Sequence, residues 1–156
     1  MNRIDRNEYY LNIADAVSRR STCLRRRFGA VIVKNDEIIA AGYNGAPRGR
    51  ATCMDNGICA RADVPHGQRY ELCRSVHAEE NCIISAARRD MIGSTLYLMG
   101  KDGADALFDA QPCLLCERRI INAGIEKLVC RNADGTWRVI MTDSLTGTER
   151  ADAYGH

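Results

Sequence analysis

Two short segments of the chain carry residues that could bind a metal ion and transfer protons. One is His77-Ala78-Glu79 and the other is Pro112-Cys113-Leu114-Leu115-Cys116. Pro112 suits the first turn of a helix, and a Cys-x-x-Cys pair at a helix start brings two sulfurs close to one point, where thiolates are favoured. One histidine nitrogen added to two thiolates gives Zn²⁺ three protein ligands and leaves its fourth position for water. These residue types therefore predict a catalytic zinc site and not a closed structural one.

Glu79 is the residue that separates catalysis from simple metal binding. Zinc lowers the pKa of a bound water to about 7. A residue two positions after a helical ligand converges with it only in the first turn, so a helix starting near His77 would place the Glu79 carboxylate beside that water, as general acid–base catalysis requires. His-x-Glu followed by Pro-Cys-x-x-Cys is the signature of the zinc deaminases of cytosine and adenine, in which the glutamate is not a ligand. The chain matches every specified position.

Three other interpretations fit parts of this pattern. A Cys-x-x-Cys pair also occurs in structural zinc sites and redox proteins, but here it does not directly follow the first strand, as it does in a thioredoxin-like unit. A zinc-stabilised binding module without turnover would have no use for a proton carrier such as Glu79. A deaminase acting within nucleic acid is disfavoured by the net charge of +2 and the aromatic content of 6%, because strand binding uses basic, aromatic-lined grooves.

The composition indicates one globular, cytoplasmic domain. The 156 residues are 46% hydrophobic and 27% charged, which argues against disorder and fits a single domain over residues 1–156. No apolar run reaches the length of a membrane span, and the N-terminal sequence has no export signal, so we expect a cytoplasmic location and no membrane partner. The eight cysteines are then expected to be reduced, several of them on metal.

Apolar periodicity predicts the elements that position these residues. Helices are expected over residues 5–19, 75–89 and 112–124. Strands are expected over residues 29–34, 37–42, 94–99, 125–130 and 137–141, the first two as a hairpin. Asp5 and Glu8 predict a capping box at the start of the first helix, whereas residues 50–74 show no sustained periodicity, which is typical of a functional loop. The strand–helix–strand order indicates the α/β class, with helices packed on a sheet.

The chain resembles the deoxycytidylate deaminases of the cytidine deaminase superfamily. The matching segments are residues 21–23, 29–33, 42–49, 77–81, 112–116 and 121–125. They run in family order through a core of about residues 5–130. The zinc motif is common to the superfamily, whereas the Gly-Tyr-Asn-Gly loop over residues 42–45 is typical of the deoxycytidylate branch. Residues 131–156 are atypical, because members continue into a further strand and a C-terminal helix, and no clear amphipathic helix follows here.

This resemblance implies a fold, a reaction and a set of site residues. The fold would be a three-layer α/β/α domain around a five-stranded mixed sheet. The reaction would be the hydrolytic conversion of dCMP to dUMP and ammonia, feeding thymidylate synthesis, in a homo-oligomer. CMP, modified dCMP, cytidine and guanine stay open as alternative substrates. By this resemblance, His77, Cys113 and Cys116 would bind zinc, and Glu79 would carry protons. Asn44 would contact the sugar, and the Ala78 backbone would contact the pyrimidine.

A 5′-phosphate would need arginine donors, whose planar fork matches phosphate oxygens. Five arginines flank the proposed pocket in the sequence, namely Arg25, Arg26, Arg27, Arg48 and Arg50. We expect one or two of them to contact phosphate and the others to be solvated. Arg48 is the first choice because it lies four residues after Asn44, and Arg25 is the second.

Four further cysteines could hold a second, structural zinc ion, as in some deoxycytidylate deaminases. They are Cys23, Cys53, Cys59 and Cys73, of which the first two fall at matching points. Four thiolates would close a tetrahedral site and hold the aperiodic segment 50–74. Their irregular spacing leaves ordinary thiols as the alternative. Cys82 and Cys130 are expected to be buried as small apolar residues.

Overall fold

The structure, a computed structural model, describes residues 1–145. Its centre is one sheet of five strands in the order β2-β1-β3-β4-β5. The strands are β1 (Arg26–Lys34), β2 (Glu37–Tyr43), β3 (Thr95–Asp102), β4 (Lys127–Arg131) and β5 (Trp137–Met141). Strands β3 and β4 run parallel, and the other neighbouring pairs are antiparallel. The five-stranded mixed sheet expected from the sequence is confirmed.

Helices cover both faces of this sheet. They are α1 (Arg6–Ser18), α2 (Cys53–Asn56), α3 (Ala78–Ile84), α4 (Arg88–Met91) and α5 (Leu114–Ala123). The core between α1 and the sheet includes Tyr10, Leu11, Ala14, Val31, Tyr97 and Val129. The core on the opposite face, under α3 and α5, includes Ile32, Ala78, Cys82, Leu98, Cys116, Ile120, Leu128 and Cys130. The three-layer α/β/α architecture is therefore confirmed, and Cys82 and Cys130 are fully buried as expected.

The helix predicted over residues 75–89 is wrong at its start, and the difference matters for the site. Val76 forms a β-bridge with Gly45, in which its N–H donates to the Gly45 carbonyl (2.7 Å) and its carbonyl accepts from the Gly45 N–H (3.1 Å). Because this bridge holds the chain extended, α3 begins only at Ala78. His77 becomes the residue immediately before the helix, and Glu79 lies in its first turn.

The same predicted helix is also interrupted further on. Helix α3 ends at Ile84, and helical structure resumes only in α4 at Arg88. The Ser85 hydroxyl donates to the Asn81 carbonyl (2.8 Å). A serine bonded to the carbonyl four residues earlier slightly destabilises a helix, and this contact coincides with the end of α3, where the predicted helix divides into two short ones.

Asp5 caps α1 as predicted, but Glu8 does not complete a capping box. The Asp5 carboxylate accepts from the backbone N–H groups of Asn7 (2.8 Å) and Glu8 (3.3 Å). The Glu8 carboxylate instead forms an ion pair with Arg131 at 2.7 and 3.0 Å. Arg131 is only 6% exposed, so its buried charge is satisfied by a partner from α1.

Gly42 in β2 allows α3 to lie against the sheet at close range. A Cβ atom at this position would lie 2.6 Å from the Ala78 carbonyl oxygen and 2.8 Å from the Cys82 nitrogen. Both are backbone atoms of α3, which cannot give way as a flexible side chain can. The placement of His77 and Glu79 thus depends on the missing side chain at residue 42.

The segment over residues 50–74 contains little regular structure, as predicted. Helix α2 is four residues long, begins at a capping box between Thr52 and Asp55, and ends at Gly57 with φ of 69°. A 3₁₀ turn covers Tyr70–Leu72. Within residues 1–145, no helix combines the length and apolarity needed to cross a membrane. The remainder of the atypical C-terminal segment, residues 146–156, lies outside the described residues.

Candidate zinc centre and active-site cavity

Three potential metal ligands meet where α3 and α5 begin. His77 and Cys113 are the residues immediately before α3 and α5, and Cys116 lies in the first turn of α5. The His77 Nδ1 atom lies 3.6 Å from the Cys113 Sγ atom and 3.3 Å from the Cys116 Sγ atom. Within residues 1–145, this is the one group of three or more His, Cys, Asp or Glu residues whose ligand atoms lie within 4.8 Å of one another.

The geometry of this trio fits a zinc ion. With Zn–N near 2.0 Å and Zn–S near 2.3 Å, a tetrahedral ion would hold its nitrogen and sulfur ligands about 3.5 Å apart. The two N···S distances bracket that value. One imidazole and two thiolates are a donor set that zinc prefers, and three protein ligands leave one position open.

Hydrogen bonds within the trio decide where its protons lie. The pKa of Cys113 is lowered to about 3, chiefly by the hydrogen bond from the Cys116 thiol and further by the hydrogen bond with His77. Burial of Cys113 acts in the opposite direction. Hydrogen bonding to Cys113 also raises the pKa of His77 and of Cys116. These opposite shifts favour the thiolate form at Cys113 over Cys116. Binding of a metal ion requires the proton on Cys116 to leave, because cysteine ligates as thiolate.

Glu79 lies beside this trio in a buried position. The residue is 4% exposed, and burial raises the pKa of its carboxyl group above the ordinary range. A buried carboxyl group with a raised pKa in a cleft is typical of a proton-transfer residue. Among the sequence predictions, Glu79 therefore has the environment that its proposed role requires.

A cavity of about 350 Å³ opens next to the trio. His77, Ala78, Glu79 and Cys113 form part of its wall. Asn44 and Arg25, which the sequence also implicated, line the same cavity, whereas Arg48 is exposed and lies outside its lining. The fold thus gathers the predicted metal, proton, sugar and pyrimidine contacts around one space and leaves Arg48 apart from them.

The Asn44 side chain is held rigidly in the cavity wall. Its Oδ1 atom accepts from the Ser21 hydroxyl (2.7 Å) and the Phe28 N–H (2.8 Å). Its Nδ2 atom donates to the Arg26 carbonyl (3.0 Å). An amide nitrogen carries two N–H donors, so one remains for a ligand in the cavity.

Several cavity residues carry no signal in the sequence that we recognised, and Arg61 and His66 are the basic ones among them. The Arg61 Nε and Nη2 atoms donate to the Gln68 carbonyl at 3.1 and 2.8 Å, and its guanidinium lies 4.5 Å from the centre of the Tyr70 ring. Arg25 Nη1 donates to the Arg61 carbonyl (3.5 Å). Arg61 is therefore fixed by its own loop and leaves Nη1 available to the cavity.

The four remaining cysteines lie near one another but not at ligand distance. Burial raises the pKa of the Cys53 thiol, and the nearby Cys23, Cys59 and Cys73 thiols raise it further. Cys23, Cys59 and Cys73 also line the cavity. They nevertheless fall outside the 4.8 Å limit that the His77 trio meets. The fold groups the four cysteines around Cys53, and their metal binding stays a prediction.

Hydrolytic zinc enzymes activate water at a three-ligand site beside a carboxyl group, and the fold and the site together place the chain in this class. A family model described as the cytidine and deoxycytidylate deaminase zinc-binding region matches residues 4–132. The chain belongs to this family of zinc-dependent deaminases, which confirms the resemblance found in the sequence.

Individual relatives agree with this assignment. The chain is 38% identical over 133 residues to the deoxycytidylate deaminase of Mycobacterium phage D29, covering 83% of this chain and 96% of the relative. It is 37% identical over 125 residues to the deoxycytidylate deaminase of Saccharomyces cerevisiae, covering 79% of this chain and 36% of the longer relative. The dCMP deaminase of cyanophage S-TIM5 in its apo form is 29% identical, with a TM-score of 0.56 over 81% of this chain and 82% of that chain.

Proposed function

We propose that this protein hydrolyses dCMP to dUMP and ammonia, with zinc held by His77, Cys113 and Cys116. The observation that carries the proposal is the buried Glu79 carboxyl group beside the three ligand atoms in one cavity. The relatives from phage D29 and yeast are named deoxycytidylate deaminases. The cyanophage enzyme has also been crystallised with dCMP and dUMP, at 26% identity and a TM-score of 0.56.

Glu79 would carry the protons of this reaction. Bound zinc supplies a nucleophile at neutral pH by acidifying water. A Glu79 carboxylate oxygen would accept a proton as water adds to C4 of cytosine and pass that proton to N3. It would then transfer the remaining hydroxyl proton to the amino group, so that the C4–N bond breaks, ammonia leaves and the C4 carbonyl forms. One water molecule is consumed and one ammonia is released, so no other reactant is needed. Burial raises the pKa of the Glu79 carboxyl group above its ordinary value, toward the range in which one group can both accept a proton and give it back at neutral pH.

The substrate contacts follow from the groups that line the cavity. The second N–H of Asn44 would donate to a sugar hydroxyl, and the Ala78 backbone would contact the pyrimidine, as the family resemblance implies. Phe28 and Phe108 pack edge to face at 5.2 Å and give the cavity an apolar wall. A wall of this kind suits a flat base, with polar contacts fixing its orientation.

The cavity arginines support a nucleotide rather than a nucleoside. Arg25, Arg26 and Arg61 line the space, whereas Arg48 does not. Guanidinium groups make charge-assisted hydrogen bonds to phosphate. Arg25, the second choice from the sequence, is kept as a proposed 5′-phosphate contact because it lies in the cavity wall. Arg61 replaces Arg48, because it lies in the same wall and its head group is fixed by its loop.

An ammonia-release assay over a substrate panel tests the proposal. The zinc-loaded protein is assayed with dCMP, CMP, modified dCMP, dCTP, deoxycytidine, cytidine, cytosine and guanine. The expected result is the highest kcat/KM for dCMP. No ammonia from any cytosine nucleotide would favour a zinc-stabilised binding module, and preference for CMP or for a nucleoside would replace dCMP as the substrate.

We propose further that Cys23, Cys53, Cys59 and Cys73 hold a second, structural zinc ion. Their grouping around Cys53 supports this, although the thiols would have to approach one another more closely. Four thiolates form a closed tetrahedral site. Such a site would fix the loop that presents Arg61 to the cavity.

We propose a cytoplasmic homo-oligomer that acts on a small nucleotide and binds neither nucleic acid nor membrane. All eight cysteines are free thiols, as in a reducing compartment. Large apolar side chains on α3 and α5 are exposed, including Ile84 at 66% and Leu114 at 64%, which is typical of association surfaces. Light scattering would contradict the oligomer if it gave a single species at the chain mass of 17.3 kDa.

A further inference from the structure

One wall of the cavity is formed by the chain that leads from β3 into α5. Residues 108–113 of this chain adopt no helix or strand, and all of them except Ala110 line the cavity. Ala110 is instead fully buried in the core under α3 and α5. Because no regular element organises the segment, contacts from elsewhere in the fold must fix the position of this wall.

The hairpin formed by β4 and β5 supplies such contacts. The Ala110 N–H donates to the Arg131 carbonyl (3.0 Å). The Ala133 N–H, in the turn of the hairpin, donates to the Asp109 carboxylate (2.7 Å). The Arg138 Nη2 atom, from β5, donates to the Ala110 carbonyl. The hairpin therefore binds both backbone groups of Ala110, which lies in the middle of the wall.

The Arg138 side chain is held in place at its other nitrogen. Its Nη1 atom donates to the Asn132 Oδ1 atom (2.6 Å), and the Asn132 Nδ2 atom donates to the Thr136 hydroxyl (3.0 Å). The planar guanidinium makes both bonds at once because its N–H donors have a fixed geometry. Arg138 is half-buried and lies outside the cavity lining, so it can act on a ligand only through the wall.

We propose that Arg138 is a positioning residue, which fixes the cavity wall over residues 108–112 by binding the Ala110 carbonyl. The inference rests on the proposed function to the extent that this wall orients the base of a cytosine nucleotide. Two other roles compete with it. Arg138 could stabilise the fold without affecting the site, or it could bind the 5′-phosphate directly, as proposed for Arg25 and Arg61.

The three roles predict different results for dCMP and deoxycytidine. A phosphate contact affects turnover of dCMP and spares deoxycytidine, which has no phosphate. A residue that positions the wall affects both substrates alike, because both present the same base to it. A residue that only stabilises the fold lowers the melting temperature, and kcat/KM of the folded protein stays normal well below that temperature.

The experiment compares the zinc-loaded wild type with Arg138→Met and Arg138→Lys, well below the melting temperature of each protein. Since a misplacement of about 1 Å can cost 10²-fold in rate, we expect Arg138→Met to lower kcat/KM about 100-fold for both substrates, with zinc content retained. Arg138→Lys keeps a cationic donor for one of the two acceptors, so it should recover part of this loss.

Thr142→Val is the matched control for a destabilised β5. The Thr142 hydroxyl donates to the Ile125 carbonyl (2.7 Å) in a buried hydrogen bond just beyond the end of β5. Its loss leaves a buried carbonyl without its partner and leaves the contacts of Ala110 in place. Thr142→Val should therefore lower the melting temperature and keep kcat/KM close to the wild-type value.

Amide hydrogen exchange tests the wall without relying on turnover. Exchange reports local opening of individual segments, so peptides covering residues 108–113 should exchange faster in Arg138→Met, whereas those covering α3 should not. Thr142→Val should leave residues 108–113 unchanged.

Three outcomes overturn the inference, namely a loss confined to dCMP, normal kcat/KM in a merely destabilised Arg138→Met protein, and unchanged exchange over residues 108–113. Failure of the proposed function is recognised separately. A wild-type protein that deaminates neither dCMP nor deoxycytidine refutes that function, and the exchange comparison then decides whether Arg138 fixes the wall.

Discussion

Glu79 and Cys113 line the same cavity, yet their substitution should remove different properties. Glu79→Gln keeps the three ligands and loses the proton carrier, so turnover of dCMP should fall by roughly 10²- to 10⁴-fold with zinc retained. Cys113→Ala removes a ligand and should lose the metal. Zinc content by elemental analysis and ammonia release by a coupled assay separate these effects. Glu126→Gln, an exposed glutamate, is the control, and near-normal turnover in Glu79→Gln would contradict the role assigned to it.

The arginines at the cavity should distinguish a nucleotide from a nucleoside. A charge-assisted hydrogen bond contributes roughly 1.5–3 kcal/mol, so Arg61→Ala and Arg25→Ala should each lower kcat/KM for dCMP by about 10- to 100-fold. Deoxycytidine has no phosphate, and its slower turnover should barely change. Arg48→Ala is the matched control because Arg48 is exposed and outside the cavity wall. Equal losses on both substrates would show that these arginines support the fold and do not bind phosphate.

At this scale, the proposed metal and proton residues could be predicted from the sequence, whereas Arg61, a proposed phosphate contact, could not. His77, Glu79, Cys113 and Cys116 lie in two short motifs whose chemistry depends on local spacing alone. Arg61 lies in an aperiodic segment, and only the turns that return its guanidinium to the Gln68 carbonyl bring it to the cavity. Arg48 was favoured because it lies close to Asn44 in the sequence, but Arg48 does not line the cavity.

At the scale of elements, the position of α3 on the sheet should be sensitive to Gly42. In Gly42→Ala the new methyl group would meet α3 backbone atoms at 2.6 and 2.8 Å, and overpacking of this kind costs about 1–3 kcal/mol. Because a misplacement of about 1 Å can cost 10²-fold in rate, kcat for dCMP should fall together with the melting temperature. Gly103→Ala is the control, since its new Cβ would have an ordinary contact at 3.7 Å. Normal kcat in a merely destabilised Gly42→Ala protein would contradict the coupling.

The strands were predictable because short apolar runs lie between turn residues, and in β1, β3 and β4 these runs are buried on both faces. The helix start at Ala78 was not predictable, because it depends on the bridge between Gly45 and Val76, which are distant in sequence. Glu8 likewise forms its ion pair with Arg131 of β4, a partner that no local pattern indicates. Tertiary contacts therefore set the start of α3, which places Glu79 in its first turn, and the ion-pair partner of Glu8.

At the scale of the whole molecule, the sheet and the aperiodic segment contribute different halves of the cavity. The helices on the sheet carry His77, Glu79 and Cys113, and the segment over residues 50–74 supplies Arg61 and His66. The first half is held by a buried apolar core. The second half contains only short elements. A further interaction is therefore needed to hold this segment in place, and a metal ion bound by the cysteines grouped around Cys53 is the candidate.

The proposed structural zinc therefore predicts a metal content that can be counted. Protein purified without chelator should approach two zinc ions per chain, and Cys53→Ser should approach one and unfold at a lower temperature, because structural zinc binding is coupled to folding. Cys130→Ala is the matched control, since Cys130 is fully buried in the sheet core and its loss should leave the zinc count at two. If the loop depends on this ion, Cys53→Ser should also weaken dCMP more than deoxycytidine turnover, because Arg61 is presented by the same segment. One zinc ion per wild-type chain would make the four cysteines ordinary thiols and leave the loop held by its turns alone.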